Sequence, residues 1–242
     1  MRRLALALVA AAAIFSGCRD NTGVRGYWSS RTPSISDYPA AEEEFAQFAS
    51  QAVQAPVKDA AYAVDVLLKK AAEDEVTYYV YTDLIARAFG LIASPCFSCE
   101  IFLHAADNIL SKGILSPYSM EEFKSKQRVC LYNKLGDKTL LPPLSKDGAE
   151  VVIPLEQRTL FLVVDQDCPT CRESMKRLAG PEWNGAWHVA LCYGHGPLPE
   201  SQGWDCYRIG ADQEIFDLKQ APFWFVSSPG GKVEIGYSID NE

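Results

Sequence analysis

A basic excess is missing from this chain: 23 Lys and Arg stand against 31 Asp and Glu, a net charge of −8. That balance argues against a nucleic-acid binder. Also missing is the run of roughly 20 apolar residues that a spanning helix needs, since the run from Leu4 to Phe15 stops well short of it. No histidine follows either C-x-x-C pair, because Glu100 and Arg172 hold those places, which excludes covalent haem attachment. What is present is a globular composition, 48% hydrophobic against 22% charged, enough to bury a core and too apolar for a disordered chain. Eight cysteines in 242 residues are too few for a disulfide scaffold and many for a reduced cytosolic protein, so their spacing must decide.

The first cysteine follows a leader. Arg2 and Arg3, the apolar run, then Ser16 and Gly17 read as a signal peptide over 1–17. Small residues directly before Cys18 resemble a bacterial lipoprotein signal, although Phe15 stands where leucine is usual. The resemblance implies that Cys18 becomes the lipidated amino terminus and anchors the protein to a membrane facing the periplasm; Arg19, by similarity to sorting rules, favours the outer membrane. Loss of the leader leaves 21 basic against 31 acidic groups, a balance of −10, so acyl chains rather than charge must hold the protein to lipid. Residues 18–39 are rich in Ser, Gly, Thr and Pro beyond the cysteine and read as a tether.

From Ala40 to about Leu131 the apolar residues recur at three and four. Ala41, Phe45, Phe48 and Ala52 make one stripe, Tyr62, Val66 and Leu67 a second, and Tyr78, Tyr81, Ile85, Phe89 and Ile92 a third. Ser94 and Pro95 suggest a cap for a helix from Cys96 to Leu110 that Gly113 stops, and another helix is expected from Met120 to Tyr132. About four helices predict a small bundle over 40–132.

Beyond 133 the pattern becomes strand-like. Thr159 to Val164 (TLFLVV) suits a strand buried on both faces. It runs into Cys168-Pro169-Thr170-Cys171 and a segment that suits a helix. A C-x-x-C opening a helix is the arrangement a dithiol oxidoreductase requires: the helix start stabilises a Cys168 thiolate, Pro169 fixes the first turn, and Cys171 resolves a mixed disulfide. Ala186 to Tyr193 predicts a second strand, 209–220 a short helix, Ala221 to Val226 a third strand opened by Pro222, and Lys232 to Tyr237 its hairpin partner. On these residues the chain over about 133–237 resembles the thioredoxin superfamily, in particular the TlpA-like redoxins. The helical segment resembles the uncharacterised domain found ahead of such redoxins in bacterial lipoproteins. The fold class expected is therefore α+β, a helical bundle followed by a thioredoxin-like α/β domain over 133–242 with room for no helix after the last strand. The resemblance implies a cis peptide at Pro222 and client peptide contacts through Ala221, Pro222, Pro169 and Thr170. The chain departs from cytosolic thioredoxins at Asp167, where they have Trp, and at Leu162, where they have a buried Asp. Proton transfer to Cys171 then needs water or another carboxylate such as Asp165. Asp165 and Asp167 oppose Arg172 and the helix dipole at Cys168, leaving the sign of its pKa shift open.

The remaining cysteines carry competing readings. Cys96 and Cys99 form a second C-x-x-C, read first as a local disulfide and otherwise as half a metal site with His104 or Cys130, or an auxiliary redox pair. Cys192 and Cys206 could bridge as a structural disulfide, and Cys130 is a core residue of its helix. His188 reads as a satisfied core histidine. His195 lacks the orienting third group that a Cys-His hydrolase needs. The expected function is a membrane-anchored extracytoplasmic thiol–disulfide oxidoreductase using Cys168 and Cys171. Its partners are client proteins with cysteines and an upstream redox donor or acceptor, without cofactor, metal or nucleic acid. The alternative is a redox-inert binding or assembly lipoprotein with a thioredoxin-like scaffold.

Overall fold

The computed structural model describes residues 23–194, 196–199, 203–210 and 215–239. The leader, Cys18 and His195 lie outside the described residues. Five helices come first: α1 Tyr38–Ala52, α2 Val57–Ala71, α3 Glu75–Phe89, α4 Cys99–Lys112 and α5 Pro117–Leu131. Four begin on a side-chain cap, with Asp37, Asp74, Ser98 and Ser116 accepting from the backbone N–H three residues on. The expected start of α4 is corrected: Ser98 rather than Ser94 caps it, so Cys96 stays in the preceding turn. Gly113 ends it in the left-handed conformation, φ 62°. Helix α5 begins three residues before the expected Met120 because Ser116-Pro117 supplies the cap and first-turn proline.

Apolar spacing places the α1 and α3 stripes in one core, where Phe45, Phe48, Tyr78, Tyr81, Ile85 and Phe89 are buried. On α2 the buried face is Ala60, Ala63, Val64, Leu67, Leu68 and Ala71; of the expected stripe Leu67 is buried and Val66 packs against the core, whereas Tyr62 lies outside, under the Arg25 guanidinium. The expected tether is also corrected. Trp28 is fully buried, its ring 5.6 Å from Phe48 and 5.7 Å from Tyr81, and Lys70 donates to the carbonyls of Trp28, Ser29 and Arg31. Tyr27 is buried beside it, 5.3 Å from Phe48, so two aromatic side chains dock an otherwise polar segment onto the bundle.

The second half is a mixed sheet of seven strands in the order β2-β1-β5-β4-β3-β6-β7. The strands are β1 Leu144–Lys146, β2 Ala149–Val151, β3 Thr159–Asp165, β4 Trp187–Tyr193, β5 Asp205–Ile209, β6 Phe223–Ser227 and β7 Val233–Ser238. Helix α6, Pro169–Leu178, crosses from β3 to the parallel β4. Between 209 and 220 only a 3-10 turn at Leu218–Gln220 is formed among the described residues.

Alternation on β3 divides the sheet into two faces. Leu160, Leu162 and Val164 meet Cys171, Met175 and Leu178 of α6. Phe161 and Val163 face the other way, with Phe223, Phe225 and Phe216, and there Ile92 and Val129 of the helical region close the core. The junction is also polar. The Gln220 side chain donates to the Gly90 carbonyl at 3.2 Å and accepts from Ile92 N–H at 2.7 Å, while buried Asp217 accepts from Ser125 at 3.0 Å and Gln220 at 2.9 Å. Among the described residues no helix is long and apolar enough to cross a membrane.

Candidate active site

Strand β3 is apolar through Val164 and ends on Asp165, where the backbone turns out of the sheet. The Asp165 carboxylate accepts from Asp167 N–H at 2.9 Å, and its carbonyl accepts from Cys168 N–H at 3.2 Å. This turn delivers Cys168 to the N-cap of α6 with Pro169 in the first turn. Cys168 is half-buried; Cys171, one turn later, is 2% exposed.

The two thiols are driven apart. Burial alone would raise the Cys168 pKa, but hydrogen bonds to its sulfur from the Thr170 hydroxyl, the Cys171 thiol and the Cys171 and Thr170 N–H groups outweigh it, and the thiol lies below its ordinary value. The Thr170 oxygen is 2.9 Å from that sulfur. Burial, then the hydrogen bond given to Cys168 and the charges of Cys168 and Asp165, push Cys171 up to about 12. The hydrogen bonds at the helix start prevail, so the sign left open by the sequence is downward, in favour of the thiolate.

Two contributors escaped sequence reasoning. Asp165 pairs with Tyr193 in the β3–β4 register, and the Tyr193 hydroxyl, raised by burial and by the charge of the Asp165 carboxylate, also feels both cysteines. Only strand register could have joined Asp165 to Tyr193. Arg208 donates to the Gly194 and Gly196 carbonyls at 2.6 and 2.7 Å and to Gln166 Oε1 at 3.3 Å, fastening the loop after β4 to the turn before Cys168.

The Ala221–Pro222 peptide bond is cis. Phe223 pairs with Val163 on β3, so Pro222, one residue earlier, stands level with Val164 at the end of the sheet that leads into Cys168. Cys168, Pro169, Thr170, Cys171, Ala221 and Pro222 therefore share one end of the sheet. Cys96 and Cys99 do not join them, and the expected bridge between them is corrected. Cys99 is bonded to Cys130, with Cα atoms 4.8 Å apart, and Cys96 is a free thiol. Helix α4 starts where α5 ends, so the two helix ends meet across the hairpin while Cys96 lies beyond the Ser98 cap. His104 instead meets Asp65 at 3.0 Å. The structural bridge expected between Cys192 and Cys206 is not formed; both are buried free thiols. His188 is half-buried and stacked on Trp204 at 5.0 Å, but its Nε2 has no partner among the described residues, so it is not satisfied as expected.

Comparison of the whole chain gives one decisive likeness. It is similar to the crystal structure of a thioredoxin-like protein from Bacteroides caccae, with a TM-score of 0.68 and 15% sequence identity over 88% of this chain and 86% of that one. The fold is thioredoxin-like. A match of that extent cannot be confined to the sheet half, so the likeness takes in the helical region too. No family model and no curated protein matches the chain.

Proposed function

We propose that this protein is a thiol–disulfide oxidoreductase of the TlpA-like kind, exported and held by lipid on Cys18 at the periplasmic face of a membrane, the outer membrane in preference to the inner. The observation that carries the redox reading is the asymmetry of the pair: a half-exposed thiol lowered at a helix start beside a buried thiol raised to about 12. The Cys168 thiolate attacks a client disulfide, forming a mixed disulfide and releasing a client thiolate. Cys171 loses its proton, attacks the Cys168 sulfur and releases the second client thiol, so two electrons pass from the dithiol to the client. Asp165, paired with Tyr193 in the strand register and close enough to Cys171 for its charge to raise that thiol, is the proton acceptor for that step. An upstream donor restores the dithiol, and the same steps reversed oxidise a client. The cis peptide at Pro222 and the backbone of Ala221 supply the edge along which an extended client segment lies.

The test is alkylation and trapping. Cys168 should react with iodoacetamide well before Cys171, and Cys171→Ser should accumulate mixed disulfides with envelope proteins that Cys168→Ser does not. Equal alkylation of the two thiols with no trapped client would reject this reading in favour of a redox-inert scaffold. Labelling of Cys18 with a radioactive fatty acid, abolished in Cys18→Ala, tests the anchor.

A further inference from the structure

The helical region carries a cavity that the redox chemistry does not use. It lies between α3 and α5, has a volume of about 130 Å³, and is lined by Tyr79, Thr82, Asp83 and Ala86 of α3, by Ser119, Glu122, Phe123 and Lys126 of α5, and by Leu115. Each helix contributes residues at i, i+3, i+4 and i+7, the spacing of a single face. Two such faces normally close on apolar side chains. Here Asp83, Glu122 and Lys126 stand on them, and α5 packs on α4 rather than on α3. The floor is apolar and closed, since Ala86, Leu115 and Phe123 are buried, as is Thr82 beside them. The rim is charged, with Asp83 exposed to solvent.

The polar groups of this cavity are unequally committed. The Tyr79 hydroxyl donates to the Ile114 carbonyl at 3.0 Å and the Thr82 hydroxyl to the Tyr79 carbonyl at 2.9 Å, so toward a guest each can only accept. Asp83 gives one carboxylate oxygen to Arg87 at 2.8 Å and Glu122 gives one to Lys219 at 3.3 Å; the second oxygen of each has no partner among the described residues. Lys126 has neither ion pair nor hydrogen bond among the described residues. Acceptors for an ammonium group therefore stand around the same apolar floor as an unpaired cation.

We propose that this cavity binds a small aliphatic α-amino acid as its zwitterion. The side chain fills the floor against Ala86, Leu115 and Phe123. The ammonium group donates to the free oxygens of Asp83 and Glu122 and to the Thr82 hydroxyl, and the carboxylate accepts from Lys126. A simple amine would leave Lys126 unpaired, and a simple acid would be repelled by two carboxylates; the zwitterion satisfies both signs at once. An apolar cavity of roughly 150 Å³ admits benzene, so a guest of valine's size fits. Binding there is independent of the redox reading of Cys168 and Cys171, since no thiol lines the cavity.

Isothermal titration calorimetry of the purified protein tests the site, with valine as the probe and two temperatures so that a vanishing heat at one is not mistaken for absence of binding. Valine should bind with a Kd of about 10 µM to 1 mM. Glycine lacks the side chain, valinamide the carboxylate and N-acetylvaline the ammonium group, so each should bind at least about tenfold more weakly. Lys126→Met should weaken valine at least about tenfold while leaving valinamide unchanged, and Asp83→Asn should weaken valine while leaving N-acetylvaline unchanged, with the helical circular dichroism of both variants as in wild type. No binding of valine up to about 10 mM, equal binding of all four compounds, or undiminished binding of valine to Lys126→Met would overturn the site, and the proposed function would stand.

Discussion

At the scale of single residues the chemistry depends on which hydrogen bonds reach Cys168. Thr170 supplies the nearest side-chain contact, 2.9 Å from the sulfur. Thr170→Val keeps the shape and removes the donor, so the thiolate loses support and the Cys168 pKa rises. The alkylation rate at pH 7 should fall by about five-fold, which corresponds to about 1 kcal/mol for one partly exposed hydrogen bond to a charged group. Measured against pH, the wild-type rate should rise through a midpoint below that of a free thiol, and the variant curve should lie to its alkaline side. Asp165 acts on the other thiol. Its charge is among the causes that raise Cys171, so Asp165→Asn lowers that pKa and yet removes the proton acceptor. If acceptance is its role, resolution of a mixed disulfide slows by about 10- to 100-fold near pH 7 and recovers as pH rises and Cys171 ionises unaided. A purely electrostatic role predicts the opposite, faster resolution at pH 7, and single-turnover kinetics across pH separates the two.

At the scale of elements, the Cys99–Cys130 bond closes the α4–α5 hairpin across a sequence separation of 31 residues. A loop of that length restricts the unfolded chain by about 3–4 kcal/mol in the chain-entropy account. Cys130→Ala should therefore lower the thermal midpoint of the helical signal by several degrees in circular dichroism, and reducing agent should do the same to wild type but nothing further to the variant. The elements also show what a sequence can reveal. The α1 and α3 stripes, β3 and the C-x-x-C helix were legible because their apolar residues repeat with the period of the element they form. Pro222 was legible as the opening of a strand. The three-residue strands β1 and β2 show no period, and β5 follows residues with no strand pattern. Trp28 is one side chain without a repeat, so its docking could not be read from spacing. The disulfide escaped for a different reason. Cys96 lies only three positions from Cys99, but pairing is set by where α4 begins, and the cap there is Ser98 rather than Ser94.

For the whole molecule, the helical region takes the place of helices that would otherwise cover one face of the sheet. Among the described residues no helix follows β7. Phe161, Val163, Phe223 and Phe225 are buried on a face that Ile92 and Val129 help to close, and Asp217 beneath it depends on Ser125 of α5 for a hydrogen bond. The two halves are thus one folding unit in energetic terms: separating them exposes aromatic surface and leaves a buried carboxylate short of a partner. A fragment of residues 133–242 should bind a hydrophobic dye and lose its near-ultraviolet dichroism, whereas the full chain should melt in a single transition. Gln220→Ala is the milder probe of the same junction. It strands Ile92 N–H and the Gly90 carbonyl, at a cost of about 2 kcal/mol. Gln220 also lies two residues before Pro222, so the junction and the client-contacting edge share one short segment. The variant should slow reduction of a peptide disulfide while leaving the alkylation rate of Cys168 unchanged, because the hydrogen bonds that lower its thiol come from Thr170 and Cys171 of α6. Equal loss of both would mean that the helical region supports the active site as a whole, and not the edge beside Pro222 in particular.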